Sequence, residues 1–286
     1  MREFGGRIVN ADSMQVYREL AILTARPRAD ELAAAPHRLY GVLPASERCS
    51  VGRWRDLAAA AIGETPSALP IVTGGTGLYL RALEDGLSPI PPVPESVQRE
   101  AKQRMGKLGA PGLHAELQAF DPAVAKRLAP NDTQRILRAW SVHRASGRSL
   151  SDWQNEARGS GAGRSLKFVL MPARTELYAT VDARFRRMVD EGAIEEARAV
   201  LALGLDPALP AMKAVGLREL GRMMAGEITL EAAIAAAQQG SRRYAKRQIT
   251  WLRHQIGPAE WVDAQFSERL LPDIFTKIRH FLLTVS

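Results

Sequence analysis

The sequence predicts an α/β protein with a parallel-sheet core, interrupted by a helical insertion. Three observations carry that expectation. A short apolar strand, Arg7-Ile8-Val9-Asn10, runs directly into a polar turn at Asp12-Ser13. A second strand, Leu69-Pro70-Ile71-Val72-Thr73, runs into the glycine-rich turn Gly74-Gly75-Thr76-Gly77 and then into a helix. From roughly residue 88 to 165 the texture is helical only, and a strand signal returns at Lys167-Phe168-Val169-Leu170-Met171. In an open parallel sheet, ligands bind in the crevice outside the carboxyl ends of the strands. Two polar turns at strand ends therefore point to one shared crevice.

Taken in order, Arg18 to Arg28 reads as a loop broken by Thr24 and Pro27, followed by a short helix over Ala29 to Ala35. Tyr40 to Leu43 is a strand or loop, and Val51 to Gly63 is a helix that stops at glycine. Pro66 and Pro70 bracket a turn. The glycine turn leads into a helix from Leu78 to Leu83. Leu87 to Pro94 holds Pro89, Pro91, Pro92 and Pro94 and reads as a linker. Short helices follow over Glu95 to Leu108, Leu113 to Phe120 and Asp121 to Leu128. Pro130-Asn131-Asp132-Thr133 caps a longer one, Gln134 to Ser146. Gly159 to Gly163 is the expected exit linker. The remainder is expected to be helical: Tyr178 to Glu191, Ile194 to Leu203, a loop over Pro210 to Arg218, and one long helix from Ala232 to Arg253. The domains are thus 1–87, first part of the core; 88–165, the insertion; and 166–286, the second part of the core.

Composition narrows the class. No run approaches the roughly 18 apolar residues of a membrane span, and the start has no signal-peptide core. Cys49 is the single cysteine, which excludes an internal disulfide and a cysteine-based metal site. A cytoplasmic, membrane-free protein is expected. Lys plus Arg number 39 against 31 acids, a net charge of +8. The distribution says more: no acid lies between Glu231 and Glu260, where Arg242, Arg243, Lys246, Arg247 and Arg253 fall. Arg242, Lys246, Ile249 and Arg253 are spaced four, three and four, a basic stripe on one helix face. Solvated faces mix both signs, so this one points to a polyanion.

Two readings of the strand-end residues stay open at this stage. Asp12 or Ser13 either caps a following helix, or Asp12 accepts a proton in the crevice. The glycine turn either presents backbone N–H groups to an anion or simply folds tightly.

The motifs together resemble a known family. Asp12-Ser13-Met14-Gln15-Val16-Tyr17, Thr24-Ala25-Arg26-Pro27, Gly74-Gly75-Thr76-Gly77-Leu78-Tyr79, Gly86-Leu87-Ser88-Pro89, Asn131-Asp132-Thr133-Gln134-Arg135 and Ala245-Lys246-Arg247-Gln248-Ile249-Thr250-Trp251-Leu252-Arg253 occur in order. The chain resembles the tRNA dimethylallyltransferases over nearly its whole length. The resemblance implies a P-loop-kinase-like core, a helical tRNA-clamping insertion, and transfer of a dimethylallyl group from its diphosphate to N6 of adenosine 37 in the anticodon stem-loop. By motif it implies Asp12 as general base on a flipped adenine. It implies Asp12, Ser13, Met14, Gln15 and Thr76 as tRNA contacts, and Gln98 too, although an arginine is common there. Gln134, Arg135, Ile136, Leu137 and Arg138 are implied contacts in the insertion. Further contacts are implied at Lys213 (often arginine in relatives), Arg218, Lys246, Arg247, Gln248, Trp251 and Arg253. Arg184 is implied to hold the diphosphate. Mg²⁺ is the implied cofactor, and a monomer is expected.

The family pattern also opens with a strand and a P-loop, Gly-x-Thr-x-Ser-Gly-Lys-Ser/Thr. This sequence begins at the counterpart of the second strand. The expectation is a truncated start, with that motif encoded upstream of Met1 and no metal ligand within this chain. A chain lacking the motif is expected to bind diphosphate and Mg²⁺ weakly. Rival expectations are an RNA-binding remnant without transfer, an adenylate isopentenyltransferase, and a nucleotide kinase. The insertion and the basic helix weigh against the adenylate isopentenyltransferase, which needs neither, and a nucleotide kinase would depend on the same P-loop that this sequence lacks.

Overall fold

A computed structural model describes residues 3–65, 68–156, 161 and 163–285. Pro66 and most of the Gly159 to Gly163 linker lie outside them. The chain divides into two units, Met1–Glu84 with Ala162–Ser286, and Asp85–Gly161.

The first unit is built on parallel strands. β1 (Arg7–Asn10) leads by a long loop to α1 (Ala29–Ala34) and the two-residue β2 (His37–Arg38). α2 (Val51–Gly63), β3 (Pro70–Thr73) and α3 (Gly77–Asp85) follow. β1 lies between β2 and β3 and pairs parallel with both, in the register Asn10↔Thr73 at the β3 side. That register brings the two polar turns to the same end of the sheet. The strand sits at His37–Arg38 rather than Tyr40 to Leu43; Leu43 makes only an isolated bridge to Tyr17. Trp54, Tyr17, Leu20, Val9 and Val16 are fully buried at the centre of this core.

α4 (Glu95–Phe120), α5 (Pro122–Arg127), α6 (Thr133–Ser146) and α7 (Leu150–Asn155) form the second unit, all helix as expected, with α7 unforeseen. α4 is two helices joined at Gly109, whose φ of 69° and ψ of 174° break the ladder just ahead of Pro111. Asp132 caps α6, and Gly147 closes it in the left-handed conformation. Ala101, Leu113, Ile136 and Trp140 pack together, beside Leu117, Val124, Val142 and Leu150. Asp121 ties the unit together: it is 1% exposed, and one oxygen accepts from Val124 N at 3.0 Å while the other accepts from Ser151 N at 3.0 Å.

The chain then returns to the first unit with β4 (Phe168–Leu170), α8 (Arg174–Asp190), α9 (Ala193–Ala202), α10 (Leu217–Met224) and α11 (Leu230–Gln255). The all-helical expectation for this stretch is corrected by β5 (Glu260–Val262), which pairs parallel with β4 before α12 (Leu271–Val285). Three residues are too few for an alternation to show against helical neighbours. Among the described residues no helix is long and apolar enough to cross a membrane.

Asp121→Ala should lower stability by on the order of 2–4 kcal/mol, because it removes a cap and leaves a buried amide unpaired. Asp121→Asn keeps the capping oxygen and should lose less. Urea unfolding of both variants checks this; equal losses would mean the second oxygen contributes nothing.

Candidate functional site

The site grows from the end of β1. Asn10 is fully buried, and its side chain shapes the turn: Nδ2 donates to Asp12 O and Leu39 O, both at 3.0 Å, and Oδ1 accepts from Asp12 N at 2.8 Å. Asp12 Oδ1 then accepts from Met14 N at 2.7 Å and Gln15 N at 3.3 Å. No helix follows directly, so Asp12 closes a turn instead of capping a helix, and it does so through one oxygen. Oδ2 has no hydrogen-bond partner among the described residues and stays available.

The glycine turn lies against this segment. Thr76 N donates to Ala11 O at 3.1 Å, and Thr76 Oγ1 accepts from Ser13 N at 2.9 Å. Thr76 thus holds the chain on both sides of Asp12. Its amide has an internal partner, so of the two readings of the turn this N–H serves the tight fold. The glycines serve close packing instead. A Cβ on Gly74 would come within 2.3 Å of the Ala11 carbonyl carbon. One on Gly75 would meet Gln248 at 2.0 Å, and one on Gly77 the Trp251 indole at 2.1 Å. Gln248 and Trp251, expected to touch a ligand, are the side chains that seat α11 on the turn.

Four side chains feel the charge of Asp12. Burial pushes the Tyr40, Tyr79 and Tyr244 phenols upward, and Asp12 pushes each further the same way. Arg184 remains accessible to solvent, yet the surrounding chain removes enough water to push its pKa down, while Asp12 pulls it back up. Arg184 makes no ion pair among the described residues. A carboxylate with a free oxygen, close enough to an unpaired guanidinium to influence it, can accept a proton while the cation holds a departing anion.

A loop braces the same turn. Glu196 of α9 accepts from three successive amides, Ala21 at 2.7 Å, Ile22 at 2.8 Å and Leu23 at 2.9 Å. The loop beyond them receives Gln15 Nε2 at the carbonyls of Thr24 and Ala25, each at 2.9 Å. Gln15 therefore has both amide protons engaged within the protein. Ala25 (φ 51°) and Leu39 (φ 66°) are the non-glycine residues with positive φ among the described residues. Each offers its carbonyl to a side chain of this site. Such a conformation costs about 1–2 kcal/mol.

The basic stripe on α11 is revised in part. Arg242 directs one nitrogen at both Asp182 oxygens, each at 2.6 Å, and Gln238 Nε2 donates to Asp182 O at 3.0 Å. Arg242 thus fastens α11 to α8, two residues from Arg184, instead of facing a ligand. Lys246 and Arg253 have no acidic partner among the described residues. With Arg174, Tyr178 and Ile249 they line a cavity of about 420 Å³. Arg247 and Arg218 are exposed, as is Lys213 at the end of a short 3₁₀ turn. The Arg247 guanidinium lies 5.6 Å from the Tyr244 ring centre.

In the helical unit, Gln134, Arg135 and Arg138 are exposed on α6, whereas Ile136 is fully buried among Ala101, Leu113 and Trp140. The side chain of Ile136 is core, which corrects its place among the expected contacts. Leu137, Arg138, Gln98, Lys102 and Ser141 line a cavity of about 230 Å³. Gln98 donates to Val93 O at 2.9 Å. Desolvation pushes Arg138 down, and it has no acidic partner among the described residues. Among the described residues no group of three or more His, Cys, Asp or Glu side chains is placed to hold a metal ion.

Gly77→Ala should test the seating of α11. At an open helical position the change gains about 0.5–1 kcal/mol; here overpacking against Trp251 should destabilise by about 1–3 kcal/mol. Urea unfolding of Gly77→Ala in the parent and in a Trp251→Ala background checks it. A stabilised Gly77→Ala in the parent background would show that the indole does not occupy that space.

Comparison with known proteins agrees with this geometry. The sequence profile described as IPP transferase matches residues 15–255. The tRNA dimethylallyltransferase of Paramagnetospirillum magneticum is 51% identical over 286 residues, covering 99% of this chain and 91% of that protein. The protein of the same name from Rhodospirillum centenum is 56% identical over 262 residues, covering 90% and 83%. The crystal structure of the full-length tRNA isopentenylpyrophosphate transferase of Bacillus halodurans matches with a TM-score of 0.66 at 30% identity, covering 99% of this chain and 89% of that one. The chain belongs to the IPP transferase family.

Proposed function

We propose that this protein transfers a dimethylallyl group from dimethylallyl diphosphate to a tRNA, at N6 of adenosine 37 in tRNAs that read codons beginning with U. The observation that carries the reading is the Asp12 carboxylate, tethered through Oδ1 with Oδ2 free, beside an unpaired Arg184. An aromatic amine is a weak nucleophile and gains from a positioned proton acceptor. In the step, N6 attacks the allylic C1 and the C1–O bond to diphosphate breaks. The N6 proton passes to Asp12 Oδ2, and the diphosphate leaves with the bonding pair. Arg184 stabilises that departing charge.

A base in an anticodon loop has to leave its stack before N6 is reachable. RNA of this kind is held by its backbone and by unstacked bases. Lys246 and Arg253 serve the backbone from α11, and Arg135 and Arg138 serve it from the helical unit. The protein acts as a monomer in the cytoplasm in this reading.

The direct test incubates the protein with labelled dimethylallyl diphosphate and an anticodon stem-loop, and digests the RNA to nucleosides. Label should appear in N6-dimethylallyladenosine. Asp12→Asn keeps the shape and should reduce transfer by on the order of 10²- to 10⁴-fold. Retention of parental activity would reduce Asp12 to a turn-closing residue.

The second test concerns the RNA surface. Lys246→Glu with Arg253→Glu should weaken stem-loop binding and flatten its salt dependence, by about one unit of log–log slope per lost phosphate contact. Affinity for dimethylallyl diphosphate should stay close to the parent. An unchanged salt slope would place the RNA elsewhere.

A further inference from the structure

We propose that the cavity between α4 and α6 of the helical unit seats one phosphate group of the RNA backbone, with Lys102, Arg138 and the Ser141 hydroxyl as its donors. This deepens the reading of a tRNA as substrate and rests on it. The cavity, about 230 Å³, takes Gln98 and Lys102 from α4 and Leu137, Arg138 and Ser141 from α6. Gln98 and Lys102 are four apart, as are Leu137 and Ser141, so each pair shares a helix face. Ala101 and Ile136, the neighbours of these residues, pack together and join the two helices. Ser141 is 6% exposed, and its hydroxyl has no hydrogen-bond partner among the described residues. A buried hydroxyl left unpaired is costly, so one that lines a cavity marks a place for a ligand acceptor.

The charges around the cavity point to an anion. Arginines near it on both helices are ion-paired: Arg99 with Glu95 at 3.6 Å, Arg104 with Glu116, Arg135 with Asp132 at 3.6 Å, and Arg144 with Glu100 at 3.0 Å. Lys102 and Arg138, which line the cavity, have no acidic partner among the described residues. The surrounding chain takes water from Arg138 and pushes its pKa down, a cost that a bound anion offsets. Size and polarity narrow the choice. Sites for drug-sized ligands begin at roughly 300 Å³, so this one suits a single group. Gln98 already donates to Val93 O at 2.9 Å. Lys102, Arg138 and Ser141 can all donate, and phosphate oxygens only accept. A base edge that carries an amine would bring a donor against two cations.

The test measures binding of anticodon stem-loops, without transfer, to the full chain and its variants. Lys102 is exposed, so its replacement leaves the core in place. Lys102→Ala should weaken binding about tenfold, Ser141→Ala about threefold, and Lys102→Arg should stay within about twofold of the parent. Lys102→Ala combined with Arg138→Ala should lower the log–log salt slope by about one, because both serve one phosphate; a drop of two overturns the single seat. The deciding arm moves one neutral methylphosphonate linkage through the loop. At one linkage the parent should lose about tenfold, and Lys102→Ala should lose no more than about twofold further. Additive losses at every linkage overturn the proposal. Inorganic diphosphate, titrated as a separate probe, should bind the parent and Lys102→Ala alike; weaker binding to the variant would assign the cavity to the small substrate instead. If the parent binds no stem-loop, the RNA reading and this site fall together. If it binds and Lys102→Ala binds equally well, only this site is lost.

Discussion

Helix α11 lies so close to the turn after β3 that there is no room for a side chain on Gly75 or Gly77. Much of the site depends on that approach. It lets one helix place Gln248 and Trp251 against the glycine turn while Lys246 and Arg253 line a cavity. The run from Lys246 to Arg253 thus carries two faces with different duties. One is inward and close-packed. The other is cationic and, among the described residues, makes no ion pair, although Asp263 lines the same cavity. A larger residue at either glycine would move the inward face and carry the outward one with it.

Around that contact the protein holds its working segment by long-range ties. Glu196 is more than 170 residues from the amides it holds, and Asp182 is 60 from Arg242. A carboxylate that accepts three consecutive N–H groups acts like an anion bound in a backbone nest, but here the anion is part of the protein. The loop it fixes takes both amide protons of Gln15. The left-handed backbone at Ala25 and Leu39 belongs to the same construction, since each of their carbonyls receives an amide side chain. Local strain is offset by hydrogen bonds that hold the turn at Asp12 in one conformation.

What could be read from the sequence was local. The strand–turn pairs, the helix from Val51 to Gly63, the break near Gly109 and the long basic helix all write their periodicity or breakers into adjacent residues. The three-residue β5 was hidden because its partner strand lies some ninety residues earlier, and pairing of that kind leaves no local mark. Arg242 looked like its neighbours on the stripe; only the position of Asp182 on another helix separates a structural arginine from a free one. Ile136 shows the limit of motif transfer, since its surroundings make it core. Glu196 carries no signature at all, because it is defined by what it meets across the fold.

The tether on Asp12 has a consequence for selectivity. A free carboxylate can receive a donor at either oxygen and can swing to follow it. This one is committed to Met14 and Gln15 on one side, so it presents a single, fixed acceptor. In the proposed transfer, recognition of the incoming group and removal of its proton fall to the same atom. A molecule that offers an oxygen or a methyl group in place of an N–H meets a half-buried charge with nothing to pair it. Sites that discriminate by leaving a polar group unpaired reach ratios on the order of 10⁴. In that proposal, fidelity for an amine over its isosteres is set by a turn of four residues, before the rest of the nucleic acid is read.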